Sequence, residues 1–175
     1  MLDGPDGDDF TLRPNQIFAV SLHASPLDDK SQREVVSVCG RELLTSYGLR
    51  SLNVAHPEFR PHYDGAVWDR DTSYHQGTVW GYLLGHYAIA EYKVTGDAVA
   101  AQANLEPIRD HLMSGALGTV SEIFDGVVPH TPRGALSKPR LREYKPQTKP
   151  VPARHEVYVV QPHKNFTDCT QGSTH

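Results

Sequence analysis

The sequence predicts an all-α fold. Three observations carry this prediction. Apolar residues recur at helical spacing in four separate stretches between about residues 14 and 114. Residues that start or stop helices stand at the ends of those stretches. Strand character is confined to "EVYVVQ" (Glu156 to Gln161), and one strand cannot form a sheet alone.

The first helix begins in "RPNQIFAVSL". Pro14 suits a first helical position, where its missing N–H would be unpaired anyway. Ile17, Phe18, Val20 and Leu22 supply apolar contacts at helical spacing, and Pro26 ends the run. The second helix spans about Leu27 to Leu44, with Asp28 or Asp29 as its cap and Val35, Val36, Cys39, Leu43 and Leu44 as its buried stripe. Gly48 is the expected stop, because glycine enters the left-handed conformation cheaply. Residues 49–72 read as a long loop, with two prolines in "NVAHPEFRPHYDG" and no helical period. Loops longer than about 12–15 residues are usually functional or disordered.

The third helix runs from about His75 to Val94, within "RDTSYHQGTVWGYLLGHYAIAEY". Its apolar stripe would hold Trp80, Leu83, Leu84 and Tyr87. Gly96-Asp97 then opens a fourth helix, Asp97 to Ser114, along Ala101, Leu105, Ile108 and Leu112. Pro107 kinks or splits it, and Gly115 and Gly118 close it. The following "GTVSEIFDGVVPHTPRG" is rich in Gly and Pro and reads as an irregular loop carrying Glu122 and Asp125.

At 175 residues the chain is long enough for one ordinary domain with a real core. A net charge of -4 gives no general basic signal, which argues against nucleic acid. No run of about 18 apolar residues exists to span a membrane, and the acidic start "MLDGPDGDDF" lacks a secretion pattern. The cysteines, Cys39 and Cys169, make no disulfide framework, so a cytoplasmic, reducing setting is expected. Cys39 falls on an apolar helix face and reads as a small buried hydrophobe. The average charge hides an asymmetry. Residues 1–135 hold 10 Lys and Arg against 18 Asp and Glu, whereas residues 136–175 hold 7 against 3 and carry five of the 13 prolines. This shift divides a folded portion, 1–135, from an irregular, basic, Pro-rich tail, 136–175.

Several chemistries are absent from the sequence. It has no Walker-type phosphate loop, no dinucleotide fingerprint and no G-x-S-x-G elbow. Ten histidines fall in no metal-ligand spacing, so neither metal nor cofactor is expected. Asn165-Phe166-Thr167 fits a glycosylation sequon, read as chance in a chain without a secretion signal. Two constellations remain. The first is Arg70, Asp71, Tyr74, His75, Gln76 and Trp80, a set of charged donors, planar amides and aromatic faces suited to a sugar. Sugar hydroxyls need directional partners and the apolar ring face needs an aromatic platform. The plain structural alternative is that Asp71 or Thr72 caps a helix and Trp80 is core. The second is Glu122 with Asp125. A loop carboxylate can act as a general base, although most acidic side chains are simply solvated.

Four motifs occur in one order: "RPNQIFAVSL", "LLTSYGLRSL", "YDGAVWDRDTSYHQGTVWGYLLGHYAIA" and "LGTVSEIFDGVVPHTPRG". Together they resemble the C-terminal glucosidase domain of glycogen-debranching enzymes, the amylo-α-1,6-glucosidase type, over about Asp9 to Gly134. The bacterial and archaeal forms are the closer match. The resemblance implies an (α/α)6 toroid of helix pairs around a central pocket. It implies hydrolysis of α-1,6-linked glucose at a branch stub, with inversion, and an α-glucan such as glycogen or limit dextrin as partner. Inverting enzymes pair a general acid with a general base roughly 6.5–9.5 Å apart. By resemblance Glu122 matches the base. Tyr74, His75 and Gln76 match the loop lining the glucose pocket, and Arg13, Asn15 and Gln16 match a helix start facing the same cavity.

Two departures accompany these matches. The family's general acid is an Asp on a segment upstream of "RPNQ", and Asp3, Asp6, Asp8 and Asp9 sit in unlike, glycine-rich surroundings. After "PRG" the family continues into a helix containing Gln-Ala-Trp-Ser, whereas this chain continues "ALSKPRLREYKPQTKPVP". A tail read in an altered frame would account for that break. Four or five helices are about a third of a toroid, so the chain is expected to be the C-terminal portion of such a domain. As an isolated chain it should show little or no hydrolysis, and its exposed helix faces should favour self-association. The competing readings are a non-catalytic α-glucan-binding module, carried by Trp68, Tyr74 and Trp80, and a small helical interaction protein.

Overall fold

The computed structural model describes residues 2–4, 7–114 and 118–135. The basic tail from residue 136 onward, with the strand expected at Glu156–Gln161 and the second cysteine, lies outside them, as does Gly115.

The chain opens with a short antiparallel pair, β1 (Leu2–Gly4) and β2 (Gly7–Asp9). Pro14–Ile17 then forms a 3-10 turn with the proline at its start, and it runs on into α1 (Phe18–Ser21). The first helix is therefore shorter than its apolar spacing suggested. The Lys93 ammonium donates to the carbonyls of Val20 and Ser21, both at 3.0 Å, and to that of Leu22. These are carbonyls at the end of α1 that would otherwise lack partners.

The second helix, α2 (Asp29–Glu42), starts where the sequence placed it. Asp28 Oδ1 accepts from the Ser31 N–H at 2.7 Å, a standard cap. Val36, Cys39 and Leu43 are buried, while Val35 and Leu44 pack partly buried against the same cluster. Gly48 does not stop this helix, which ends at Glu42. It lies instead in β4, with φ of 155°, where a Cβ would stand 2.2 Å from the Trp80 carbonyl oxygen. Its role is close approach between strands.

A five-stranded antiparallel sheet is the main correction to the all-α expectation. Its order is β3 (Leu44–Thr45), β4 (Gly48–Arg50), β5 (Val79–Trp80), β6 (Ile123–Phe124) and β7 (Pro132–Arg133). Leu49 pairs with Trp80, Trp80 with Ile123, and Phe124 with Pro132. Each strand is two or three residues long, too short for period-two alternation to show. Two insertions interrupt the sheet. Between β4 and β5 comes a loop and then α3 (Val67–Ser73), so the expected 49–72 loop carries a helix. Asp69 Oδ2 accepts from the Ala66 N–H at 3.0 Å at the start of that helix. Between β5 and β6 come α4 (Leu83–Thr95), α5 (Ala98–Ala103) and α6 (Glu106–Ser114).

The third predicted helix, His75 to Val94, is thus divided. Its start, His75 and Gln76, falls in the turn after α3, Trp80 belongs to a strand, and only the part from Leu83 is helical. Gly96 ends α4 in the left-handed conformation, and Asp97 Oδ1 accepts from the Val99 and Ala100 N–H groups, both at 3.0 Å. The fourth helix splits before Pro107, as its ring requires. Of its expected stripe Ala101 is buried, whereas Leu105 is exposed and His111 takes the most buried position on α6.

The core lies where α1, α2 and α4 meet β4. Ile17, Val20, Cys39, Leu43, Leu49 and Ala90 are fully buried there, with Leu83 and Tyr87 nearly so. Burial pushes the Cys39 thiol up to about 12, consistent with a small core hydrophobe. The described residues belong to one compact unit.

Candidate functional site

Glu122 stands at the end of a short loop, one residue before β6. Its neighbour Ser121 is buried and fixed by a histidine. His111 Nε2 accepts from the Ser121 N–H at 3.2 Å and lies 3.1 Å from the Ser121 hydroxyl. Burial lowers the His111 pKa and so favours the neutral ring, and the Ser121 N–H donating to Nε2 selects the tautomer with that nitrogen unprotonated. The His111 ring meets Phe124 edge-on at 5.0 Å, and Tyr47 stacks on Phe124 at 4.8 Å. The carboxylate therefore projects from a rigid aromatic base.

Both oxygens of Glu122 are engaged. Oε1 accepts from the Tyr74 hydroxyl, across 48 residues of sequence. Oε2 accepts from the Ala135 N–H at 2.8 Å, and the Glu122 N–H donates back to the Ala135 carbonyl at 3.3 Å. Gly134 permits this embrace. Its φ is 71°, and a Cβ there would stand 2.6 Å from Glu122 Oε2. The Tyr74 hydrogen bond first, and the Ala135 N–H second, hold the Glu122 carboxyl below its ordinary range against a smaller opposing effect of burial. Burial and the neighbouring carboxylate together push the Tyr74 phenol up to about 12. At neutral pH the pair is thus a phenol donating to a carboxylate.

The cleft in front of Glu122 has a volume of about 790 Å³. Arg70, Asp71 and Tyr74 form one wall, and Tyr63 and Asp64 another. Arg133 and the Gly134–Ala135 backbone close it on the β7 side. The Tyr63 and Tyr74 rings lie 5.6 Å apart, tilted by 47°. The cleft thus offers guanidinium donors, carboxylate acceptors and aromatic faces together, the set that a polyhydroxylated ring needs.

Asp125 does not line the cleft. It is 3% exposed and braces the wall from behind. Its oxygens accept from Arg133 Nε at 3.1 Å and Nη2 at 3.0 Å, and from the Tyr63 N–H at 3.0 Å, with His62 Nδ1 3.4 Å away. Burial alone would raise its pKa, but the Arg133, Tyr63 and His62 hydrogen bonds outweigh it and hold the carboxyl low. The same loop is closed by the His130 ring, whose Nδ1 lies 2.8 Å from the Asp125 carbonyl oxygen, and by Arg50 Nε donating to the Gly126 carbonyl at 2.7 Å.

The remaining expected residues stand outside the cleft. Arg13 donates to the Ser51 carbonyl at 3.0 Å, to the His75 carbonyl at 2.5 Å and to Gln76 Oε1 at 2.8 Å. It ties the first turn to the segment following Tyr74. Gln16 Nε2 donates to the Arg13 carbonyl at 2.8 Å, and Asn15 is exposed beside it. Gln76 faces a separate hollow with Glu58 and Arg60. His75 stacks flat on Trp80 at 5.2 Å, and Trp80 meets Tyr74 edge-on at 4.9 Å. These residues support Tyr74 and do not line the cavity. The residues missed by sequence reasoning are Tyr63, Asp64, Arg133 and the backbone of Gly134–Ala135. All but Ala135 fall within the motifs "YDG" and "TPRG", which was the available signal.

A family model described as amylo-alpha-1,6-glucosidase matches residues 1–138 of the 175. The chain belongs to the amylo-alpha-1,6-glucosidase family. The matched span is thereby related to the glucosidase domain of glycogen debranching enzymes, and both Glu122 and Tyr74 lie within it. No curated protein matches the chain. Among the described residues of this family member no group of His, Cys, Asp and Glu could hold a metal ion, and no helix is long and apolar enough to cross a membrane.

Proposed function

We propose that this amylo-alpha-1,6-glucosidase family member carries the general-base half of an inverting α-1,6-glucosidase site. The substrate would be a glucose stub on glycogen or a related α-glucan. The observation that supports this most is the state of Glu122. It is an ionised carboxylate, gripped at both oxygens, facing a cleft of sugar-binding character. A general base must be unprotonated and fixed, and its remaining lone pairs can take a proton from water attacking the anomeric carbon. Each carboxylate oxygen has two acceptor positions, so one bond to each leaves room for that water. Arg70, Asp71, Asp64 and Arg133 would hold ring hydroxyls, and the Tyr63–Tyr74 corner would take the ring face.

The helices belong, on this reading, to the C-terminal section of an (α/α)6 ring, with residues 1–135 as that section. On a glucan the leaving oxygen must also be protonated by a general acid, a requirement that Glu122 as base does not meet. α-Glucosyl fluoride removes that requirement, because fluoride departs without protonation. Its hydrolysis to β-glucose, reduced about 10²–10⁴-fold by Glu122→Gln, is the expected result. Equal turnover by the Gln variant, or α-glucose as first product, would refute the reading. An α-glucan-binding module without catalysis would bind maltooligosaccharides yet leave the fluoride intact.

A further inference from the structure

Beside the cleft lies an apolar pair that the reaction at Glu122 does not use. Val67 and Trp68 are adjacent in α3 and are 63% and 75% exposed. The same helix supplies Arg70 and Asp71 to the cleft wall, and Tyr74 follows at its end. In a helix Trp68 is one turn from Asp71, and Val67 one turn from Arg70 and Asp71, so these side chains are neighbours on the surface. Gly65, just before α3, also lines the cleft. Trp68 lies six positions before Tyr74, a rise of about 9 Å along a helix and about 120° around its axis, so the indole stands beside the cleft wall rather than in the cavity.

We propose that Trp68, backed by Val67, is an outer platform for the α-glucan chain on the leaving-group side of the cleft. This rests on the glucosidase reading of Glu122. The chemistry is that of a pyranose laid on an indole. The apolar C–H face of the sugar covers the ring, while its hydroxyls stay in water or reach Asp71. A single glucose seated at Glu122 does not extend that far, whereas a chain does. The platform thus sets preference for polymer over free sugar, and a water-exposed Trp at this place gains burial when such a chain is bound.

The test is binding of glucose and of maltopentaose to the 175-residue chain, by calorimetry and tryptophan fluorescence. The chain has two tryptophans, and Trp68 is the exposed one. Maltopentaose should bind more tightly than glucose and shift the emission of Trp68 to the blue. Trp68→Ala should weaken maltopentaose about tenfold and abolish the shift, and Trp68→Tyr should restore most of the affinity. Because Trp68 is exposed, the Ala variant keeps its fold. Unchanged maltopentaose affinity in Trp68→Ala, or a Trp68 that does not respond to oligosaccharide because a protein surface covers it instead, would overturn the platform. Hydrolysis of α-glucosyl fluoride by the parent chain separates the two failures. If it persists, only the platform falls; if it is absent, the glucosidase reading falls first.

Discussion

Replacing Asp125 by Ala removes the brace behind the cleft, leaving every cleft-lining residue in place but releasing the guanidinium of Arg133. The carboxylate is 3% exposed and accepts from Arg133 at 3.1 and 3.0 Å and from the Tyr63 N–H at 3.0 Å. Breaking a buried pair by removing one partner costs about 3–5 kcal/mol. The Arg133 side chain is 32% exposed, so water recovers part of its solvation and the loss falls at the lower end, about 2–4 kcal/mol. His62 is half-exposed and adds little. For a chain of this size that is a fall in melting temperature of roughly 5–15 °C. The pH dependence has a defined sign. The folded carboxyl lies below its ordinary 3.8, so its stabilisation is fully present above that value. It is lost as pH falls through the depressed folded pKa. Urea unfolding of both proteins at neutral pH and at successively lower pH reads this directly. The stability gap should be wide at neutral pH and close on the acid side. A gap under about 0.5 kcal/mol at neutral pH, the size expected of an ordinary surface change, would refute the reasoning. So would one that stays constant into strong acid.

Tyr74→Phe removes the first of the two bonds that keep Glu122 ionised. Its carboxyl pKa should rise, and the acid limb of α-glucosyl fluoride hydrolysis should move to higher pH; an unmoved limb would show that the Tyr74 hydroxyl does not set the base. Gly134→Ala places a Cβ 2.6 Å from Glu122 Oε2 at a φ of 71°. Strain of about 1–2 kcal/mol and a displaced carboxylate should cost activity more than stability, as a melt compared with turnover would show. Retention of full activity would mean that the Gly134–Ala135 grip on Glu122 is dispensable.

The elements that the sequence disclosed are those with local causes. The Asp28 cap, the Val36–Cys39–Leu43 stripe, the Gly96–Asp97 boundary and the break before Pro107 all depend on residues within a turn of one another. The sheet depends on distant partners. Val79 and Trp80 sit at helical spacing from Leu83 and Leu84, so they imitate a helix in periodicity while pairing with Phe124 and Ile123. Gly77 was the counter-signal, since a Cβ there would meet the Arg60 carbonyl oxygen at 2.4 Å. Within the site, Glu122 and Tyr74 were singled out by motif, but the bond between them is tertiary. Arg13, Gln76 and Trp80 carry sugar-binding chemistry in their side chains, yet the fold spends it on holding the Tyr74 turn. Asp125 was grouped with Glu122 by proximity in sequence, and burial assigns it to Arg133 instead.

The role of Glu122 is tested most directly by azide rescue of Glu122→Ala with α-glucosyl fluoride. Azide is already a nucleophile and needs no base, and fluoride needs no acid. The Ala variant should be slow in water, and azide should restore turnover by forming β-glucosyl azide. No β-glucosyl azide at any azide concentration, with the variant folded and the parent active, would contradict the assignment of Glu122 as the base.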